Sequence, residues 1–381
     1  MLSRREFIKR CGSCALLCGS LQPPLLASLA RSSRAQTLEK GRIGRKLSPY
    51  FTPLDGRIVR CELCPRQCEV APGERGECRV RENVDGRYYS LVYGNPCAVH
   101  VDPIEKKPFF HVLPTTTSFS LATAGCNLHC KFCQNWEISQ AAPDETLNYD
   151  MAPERVIDLA LKSGCRSIAS TYVEPSIFIE YMMDLGRLAR GAKLLKVIHS
   201  NGFLCEKPLR DLCGVLDAAC IDLKGFTEAY YREMTGGSLQ PVLDTLKRLK
   251  DLKVHTELVT LIVPGKNDDP EQLRAMCRWV RQELGPDVPL HFSRFYPQYK
   301  LKSLPPTPVP TLELARKIAM EEGLHYVYIG NVPGNGAEHT ICPRCQARLI
   351  ERRGYQVDVK ELQDGRCRKC GLPIPGIWKT G

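Results

Sequence analysis

Three cysteines fall within eight residues of "TAGCNLHCKFCQNW", Thr123 to Trp136, at the spacing Cys126-x3-Cys130-x2-Cys133. A zinc ion closed off by protein takes four ligands, commonly as two pairs. Three close thiolates suit a centre that keeps one coordination position open. They can hold three irons of a 4Fe–4S cluster and leave the fourth iron to an exogenous ligand. A Cys3His zinc site completed by His129 draws on the same residues, and three reduced core thiols are the plainest alternative.

The chain holds 20 cysteines; three lie in the first 18 residues, and two further sets of four are grouped. Cys342-x2-Cys345 and Cys367-x2-Cys370, 21 residues apart, have the paired spacing of a zinc-ribbon-like module. Its metal is zinc or a single rubredoxin-like iron, and four thiolates round one ion stabilise a module too small for its own core. Cys61-x2-Cys64-x3-Cys68-x9-Cys78 supplies four more thiols for a structural zinc or a second iron–sulfur cluster. Spacing leaves that metal's identity open, and export could convert some of these pairs into disulfides. Tight clusters in a chain of 381 residues point to metal more than to disulfides. Cys165, Cys205, Cys213, Cys220 and Cys277 sit in strand or helix patterns as core thiols, and Cys97 has no assigned role.

Alternating elements must position these groups. Apolar, β-prone runs begin at Ser118, Cys165, Lys196, Ala218, His255 and Leu290, and a seventh, "HYVYIGNV", at His325. Between them lie helical patterns such as "PERVIDLALKSG" and "DPEQLRAMCRWVRQELG". Asp269-Pro270 predicts an N-cap with proline at the first helical position, and Gly164 and Gly191 are expected to close helices. Strands alternating with helices predict right-handed parallel βα units, in an open or closed barrel, with the chemistry at the strand C-terminal ends. The segment around Cys61–Cys78, rich in Gly and charge, reads as a loop-rich knob without strands or helices.

The N-terminus has the parts of an export signal: basic "SRREFIKR", a short apolar run, and "SRAQ" with a cleavage site after Ala35. Arg4-Arg5 makes it resemble the twin-arginine type, so the expected location is periplasmic, or cytoplasmic if the segment does not act. The run is too short for a good membrane span, and no other segment resembles one. The net charge of +11 is concentrated at the two ends. Residues 1–35 hold six Lys/Arg against one Glu, and residues 342–381 hold nine Lys/Arg against four Asp/Glu. The bulk of the protein is therefore no basic nucleic-acid binder, and only the C-terminal module has the charge for one.

The trio's spacing, with Phe132 before its third cysteine, is the signature of the radical S-adenosylmethionine (SAM) superfamily. Together with "CELCPRQC", "TYVEPSIFIEY", "HSNGF", "IDLKGF", "LVTLIVPGKND", "HFSRFYPQYK" and "YVYIGNVPG", it resembles the AmmeMemoRadiSam group of that superfamily. That group is similar to the activating enzymes of pyruvate formate-lyase, and the resemblance runs from about residue 48 to 350. It implies a partial (β/α)6-type TIM barrel at 113–335, after a linker and cysteine-rich region at 36–112 and before the module at 336–381. The resemblance also implies SAM on the open iron, a low-potential electron donor, and a substrate that is unidentified and could be a protein. Glu174, with Tyr172 beside it, falls where the relatives bind the SAM amino group, although Tyr172-Val173 replaces their paired glycines. Ser200 and Asn201 fall near the expected ribose and carboxylate. Asp222 and Lys224 match the activating enzymes' Asp-x-Lys pair, and His291 is expected to face substrate. Other functions compatible with the residues are a non-catalytic iron–sulfur electron-transfer protein and an RNA-modifying enzyme recruited through the basic module.

Overall fold

A computed structural model describes residues 38–380; the signal-like segment expected at 1–35 lies outside them. The centre is an eight-stranded sheet. Its strands are β1 (Ala98–Pro103), β2 (Thr117–Ala122), β3 (Ser167–Ser170), β4 (Leu195–Ser200), β5 (Ala218–Asp222), β6 (His255–Ile262), β7 (Leu290–Arg294) and β8 (Val327–Gly330). They lie side by side in chain order; β2 to β8 are parallel and β1 pairs antiparallel with β2. The order is open, with β1 and β8 as its two edges. The seven parallel strands match the seven apolar runs of the sequence. The antiparallel edge strand was not anticipated, and its alternation misreports burial, since Val101 is exposed and Asp102 buried.

The helices crossing between strands are α1 (Pro153–Lys162), α2 (Ile179–Gly191), α3 (Glu206–Cys213), α4 (Gln240–Asp251), α5 (Pro270–Trp279) and α6 (Val309–Glu321). Asp269 caps α5 as expected, its carboxylate accepting from Gln272 N at 2.9 Å, with Pro270 at the first position. Gly164 follows α1 at φ +68°. Gly191 instead ends inside α2, and Lys193 at φ +57° makes the left-handed turn two residues later.

One face of the sheet packs against the helices. The lower half of the other is filled by residues 104–113, whose Ile104, Phe109, Val112 and Leu113 pack on Ala169, Val197, Ala218, Cys220 and Val259. Glu257 anchors this plug, accepting from Phe110 N at 3.0 Å and His111 N at 2.8 Å. The upper half of that face, at the strand C-terminal ends, is left for chemistry.

The cysteine-rich region is more ordered than a loop-rich knob. Val59–Cys61 pairs antiparallel with Phe51–Pro53 and Glu69–Val70, and Arg81–Val84 pairs with Arg87–Ser90. Period-2 burial of Val59 and Cys61 on either side of exposed Arg60 makes the strand. Its short length and charged outer residues hid that period in the sequence. The region is tied to α2 by the fully buried Arg81, whose Nη1 and Nη2 donate to Glu180 at 2.8 and 2.7 Å.

The C-terminal module is a three-stranded antiparallel sheet of β9 (Thr340–Ile341), β10 (Arg348–Arg353) and β11 (Gln356–Val359), followed by a short hairpin. Leu349, Ile350 and Ile374 bury a small core against Phe110, Tyr326 and Tyr328 at the β8 edge. Arg352 is buried, donating from Nη2 to Phe110 O at 2.7 Å with its guanidinium over the Phe110 ring, so one of the module's positive charges is spent internally. Among the described residues, no helix is long and apolar enough to cross a membrane. Of the scattered cysteines, Cys165, Cys220 and Cys277 are buried, and Cys205 and Cys213 are half-buried.

Candidate active site and metal centres

Parallel strands put all their C-terminal ends on one edge, and the loop carrying Cys126, Cys130 and Cys133 leaves β2 at that edge. Backbone bonds hold the loop: His129 N donates to Thr235 O at 2.8 Å and Lys131 N to Met234 O at 2.9 Å. Gly125, at φ +88°, allows its entry; a Cβ there would stand 2.5 Å from Cys78 O. The thiols are turned inward among donors. Leu128 N donates to Cys126 Sγ at 3.5 Å, Asn201 Nδ2 lies 3.9 Å from the same sulfur, and Ser139 Oγ is 3.2 Å from Cys133 Sγ. Burial pushes the Cys126 thiol well up, and raises Cys130 to about 12 although the Lys224 charge acts against it, the cost of drying these thiolates. A metal centre removes that cost by ligating the thiolate. The three sulfurs are not all within 4.8 Å of one another, which suits thiolates on separate irons better than three ligands of one ion.

Two groups of polar residues flank the trio. Glu174, 2% exposed, joins the ends of β3 and β4. Its Oε2 accepts from Asn201 N at 2.7 Å, its Oε1 from Ser176 N at 2.9 Å, and both oxygens lie within 3.1 Å of Ser200 Oγ. Burial raises the Glu174 carboxyl above its ordinary value despite these donors. The carboxylate thus both caps the turn at Pro175 and organises Ser200 and Asn201. Tyr172 sits two residues before it at φ +68°, a conformation that suits glycine and strains a bulky side chain. Strain is offset by anchoring: Tyr172 O accepts from Asn135 Nδ2 at 2.7 Å, and its hydroxyl bonds Asp102 and lies 3.2 Å from Lys107 Nζ.

On the other flank, Asp222 Oδ2 accepts from Lys224 Nζ at 2.7 Å and Oδ1 lies 2.9 Å from His199 Nε2. Burial alone would raise the Asp222 carboxyl; the charges of Lys224 and His199 outweigh it and hold the group well below the usual carboxylate range. Burial likewise opposes the Lys224 ammonium, but Asp222 holds its value above that of ordinary lysine. Lys224 stands 5.7 Å over the buried Phe132 ring, and its charge acts on Cys130. His199 is the member that sequence reasoning did not select. Strand alternation was its signal, because neighbours on a strand face opposite ways: Ser200 turns to Glu174 and His199 to Asp222.

His291 is not brought to this set. It lies near the start of β7, 1% exposed, with Nε2 at 2.8 Å from Glu257 and its ring against Phe110 and Tyr328. It faces the plug, a place set by its height along the strand, which the sequence period does not report.

The C-terminal thiols form a different kind of site. Cys342 and Cys370 Sγ are 3.6 Å apart, as are Cys345 and Cys367, and all four lie within 4.8 Å of one another. Metal–sulfur bonds of about 2.3 Å in a tetrahedron separate the sulfurs by about 3.8 Å, so the spacing fits one ion.

A family model described as the radical SAM superfamily matches residues 120–280. The uncharacterized protein MJ0808 of Methanocaldococcus jannaschii is 46% identical over 327 residues, 85% of this chain and 97% of that protein. The chain belongs to the radical SAM superfamily. A pyruvate formate-lyase-activating enzyme of Listeria monocytogenes is 23% identical over 178 residues, covering 43% of this chain and 69% of that enzyme. Among solved structures, a radical SAM methyltransferase from Sphaerobacter thermophilus aligns with a TM-score of 0.46 at 13% identity, covering 73% of this chain and 76% of that one. As a radical SAM protein the chain is expected to hold a 4Fe–4S cluster and SAM. The wide, donor-surrounded thiols of Cys126, Cys130 and Cys133 fit that cluster.

Proposed function

We propose that this radical SAM protein is an enzyme of the AmmeMemoRadiSam kind that cleaves SAM reductively and abstracts hydrogen from its substrate. The observation that carries the proposal is the gathering of Lys224–Asp222–His199 and Glu174–Ser200–Asn201 around one three-cysteine loop. When bound and reduced, the cluster supplies the electron that breaks the sulfonium and frees a 5′-deoxyadenosyl radical. The chain's own residues orient and shield. Cys126, Cys130 and Cys133 would hold three irons and leave one for SAM, and Asn201, beside Cys126 Sγ, would donate to the SAM carboxylate. Glu174 fixes Ser200 and Asn201 and presents a carboxylate toward the SAM amine. Lys224, held by Asp222, adds positive charge beside Cys130. The substrate lies over the upper part of the open sheet face, bordered by His199 and Tyr172.

The pyruvate formate-lyase-activating relative makes a partner protein one candidate substrate. The four C-terminal thiols hold zinc in this reading, as a structural ion under β10. Residues 1–35 serve as a twin-arginine-like signal. The decisive test is anaerobic: reconstituted, dithionite-reduced protein should form 5′-deoxyadenosine from SAM, and the Cys126→Ala variant should not. No product from protein with a full cluster would favour an electron-transfer role. Salt-sensitive RNA binding lost on removing 342–381 would favour RNA modification.

A further inference from the structure

We infer that Cys61, Cys64, Cys68 and Cys78 hold a second 4Fe–4S cluster, which passes electrons inward to the cluster at Cys126, Cys130 and Cys133. The direction of flow rests on the proposed function; the presence of the second cluster does not.

The four thiols converge from separate turns. Cys61 N donates to Cys68 O at 2.9 Å, Gln67 N to Cys64 O at 3.1 Å, and Cys78 follows the Gly73–Glu77 loop. Each sulfur lies within electrostatic reach of the other three. Their separation distinguishes the nuclearity. Among the described residues, the C-terminal quartet is the one group of three or more such ligands lying within 4.8 Å of one another. The knob thiols are wider, as is the trio. A cubane carries each thiolate on its own iron and so takes sets wider than one ion allows, while the C-terminal set has the spacing of a single ion.

A second observation concerns Arg81. It is fully buried, its Nη atoms are spent on Glu180, Ser48 and Ile177 O, and its Nε has no hydrogen-bond partner. Its charge acts on Cys61 and Cys78. An anionic iron–sulfur centre supplies the missing acceptor, and the buried Tyr88 hydroxyl and the Cys68 sulfur stand on the same side of Gly76, within 2.7 and 3.9 Å of where its Cβ would lie. A zinc ion at these widths would reach at most some of the four sulfurs.

The position suggests the role. On the inner side, Cys78 O touches Gly125, the residue before Cys126. On the outer side, a Cβ on Gly76 would stand 3.9 Å from Cys68 Sγ, and Gly76 lines an open hollow of about 630 Å³ with Arg75, Arg79, Gln140 and Asp144. A reduced low-potential iron–sulfur or flavin protein gives one electron to the knob cluster and is itself oxidised by one. The knob cluster returns to its oxidised level when that electron moves on to the inner cluster. No bond to the protein forms or breaks.

The test is an iron, sulfide and zinc count with EPR on anaerobically reconstituted, dithionite-reduced protein. The Cys126→Ala/Cys130→Ala/Cys133→Ala variant should keep about four irons and four sulfides and a reduced-cluster signal that SAM leaves unchanged. The Cys64→Ser/Cys68→Ser variant should lose about four irons relative to wild type and keep a signal that SAM shifts. Zinc or no metal in the knob of the first variant would overturn the inference. If that variant does not fold, the iron difference between wild type and the second decides, and no difference overturns it. A second variant with no SAM-responsive signal, beside a first that keeps its irons, would sink the proposed function while supporting the second cluster. Reduction of the inner cluster by a reduced flavodoxin should slow about tenfold or more in the second variant, and equal rates would overturn the relay.

Discussion

Replacing Asp222 by Asn removes one charge with almost no change in shape. Lys224, with a side chain 12% exposed, then keeps its ammonium facing only an amide oxygen, and His199 loses its anionic partner. Hydrogen bonds to charged groups contribute about 1.5–3 kcal/mol each. Asp222 is 25% exposed at its side chain, so water recovers part of the loss, and a total cost of about 2–3 kcal/mol follows. In a chain of this length each kcal/mol lowers the melting midpoint by about 2 °C, which gives a drop of about 4–6 °C. Lys224→Met alone should also destabilise. The double variant should recover about 1–2 kcal/mol relative to the sum, because no unpaired ammonium remains. Differential scanning calorimetry of anaerobically reconstituted proteins reads this directly. The pH dependence has a fixed sign. Asp222 is depressed, so its contribution is full above the unfolded carboxyl value, about 3.9, and is lost as pH falls through the folded value. Lys224 is raised, so its contribution is full below the unfolded lysine value, about 10.4, and is lost as pH rises through the folded one. The gap between wild type and Asp222→Asn should therefore stay constant from about pH 7 to 9. Strictly additive melting shifts, or a gap that closes between those values, would refute the reasoning.

Gly125→Ala places a methyl 2.5 Å from Cys78 O at φ +88° and should cost about 2–4 kcal/mol, with iron lost from the Cys126 loop on gel filtration; full iron retention would argue against the close approach. His291→Gln should destabilise by about 1–3 kcal/mol through the Glu257 network and leave iron content unchanged, whereas a selective loss of the SAM-induced EPR shift would return His291 to the active site. Cys367→Ser should release one equivalent of metal and speed proteolysis after residue 336, since the module's small core leans on its ion. N-terminal sequencing of protein from a host with twin-arginine export should begin at Gln36, and a start at Met1 would show the segment to be retained.

Local spacing was enough to announce much of this molecule. The three-cysteine loop, the seven parallel strands and the polar residues at their ends follow from short-range patterns, because strand periodicity and ligand spacing are properties of neighbours in the chain. The Asp269 cap is of the same kind. What lay beyond the sequence depends on partners brought together by strand register. His199 meets Asp222 across 23 positions, and His291 meets Glu257 across 34, below the active edge. Spacing pointed the paired C-terminal cysteines to one ion but left the metal of Cys61, Cys64, Cys68 and Cys78 open. Folding draws paired sulfurs at the C-terminus to 3.6 Å, with all four within 4.8 Å of one another, and leaves those of the knob wider than that. Sulfur separation limits how many metal ions a site can share, and the chain sets that separation only once distant turns have packed against one another.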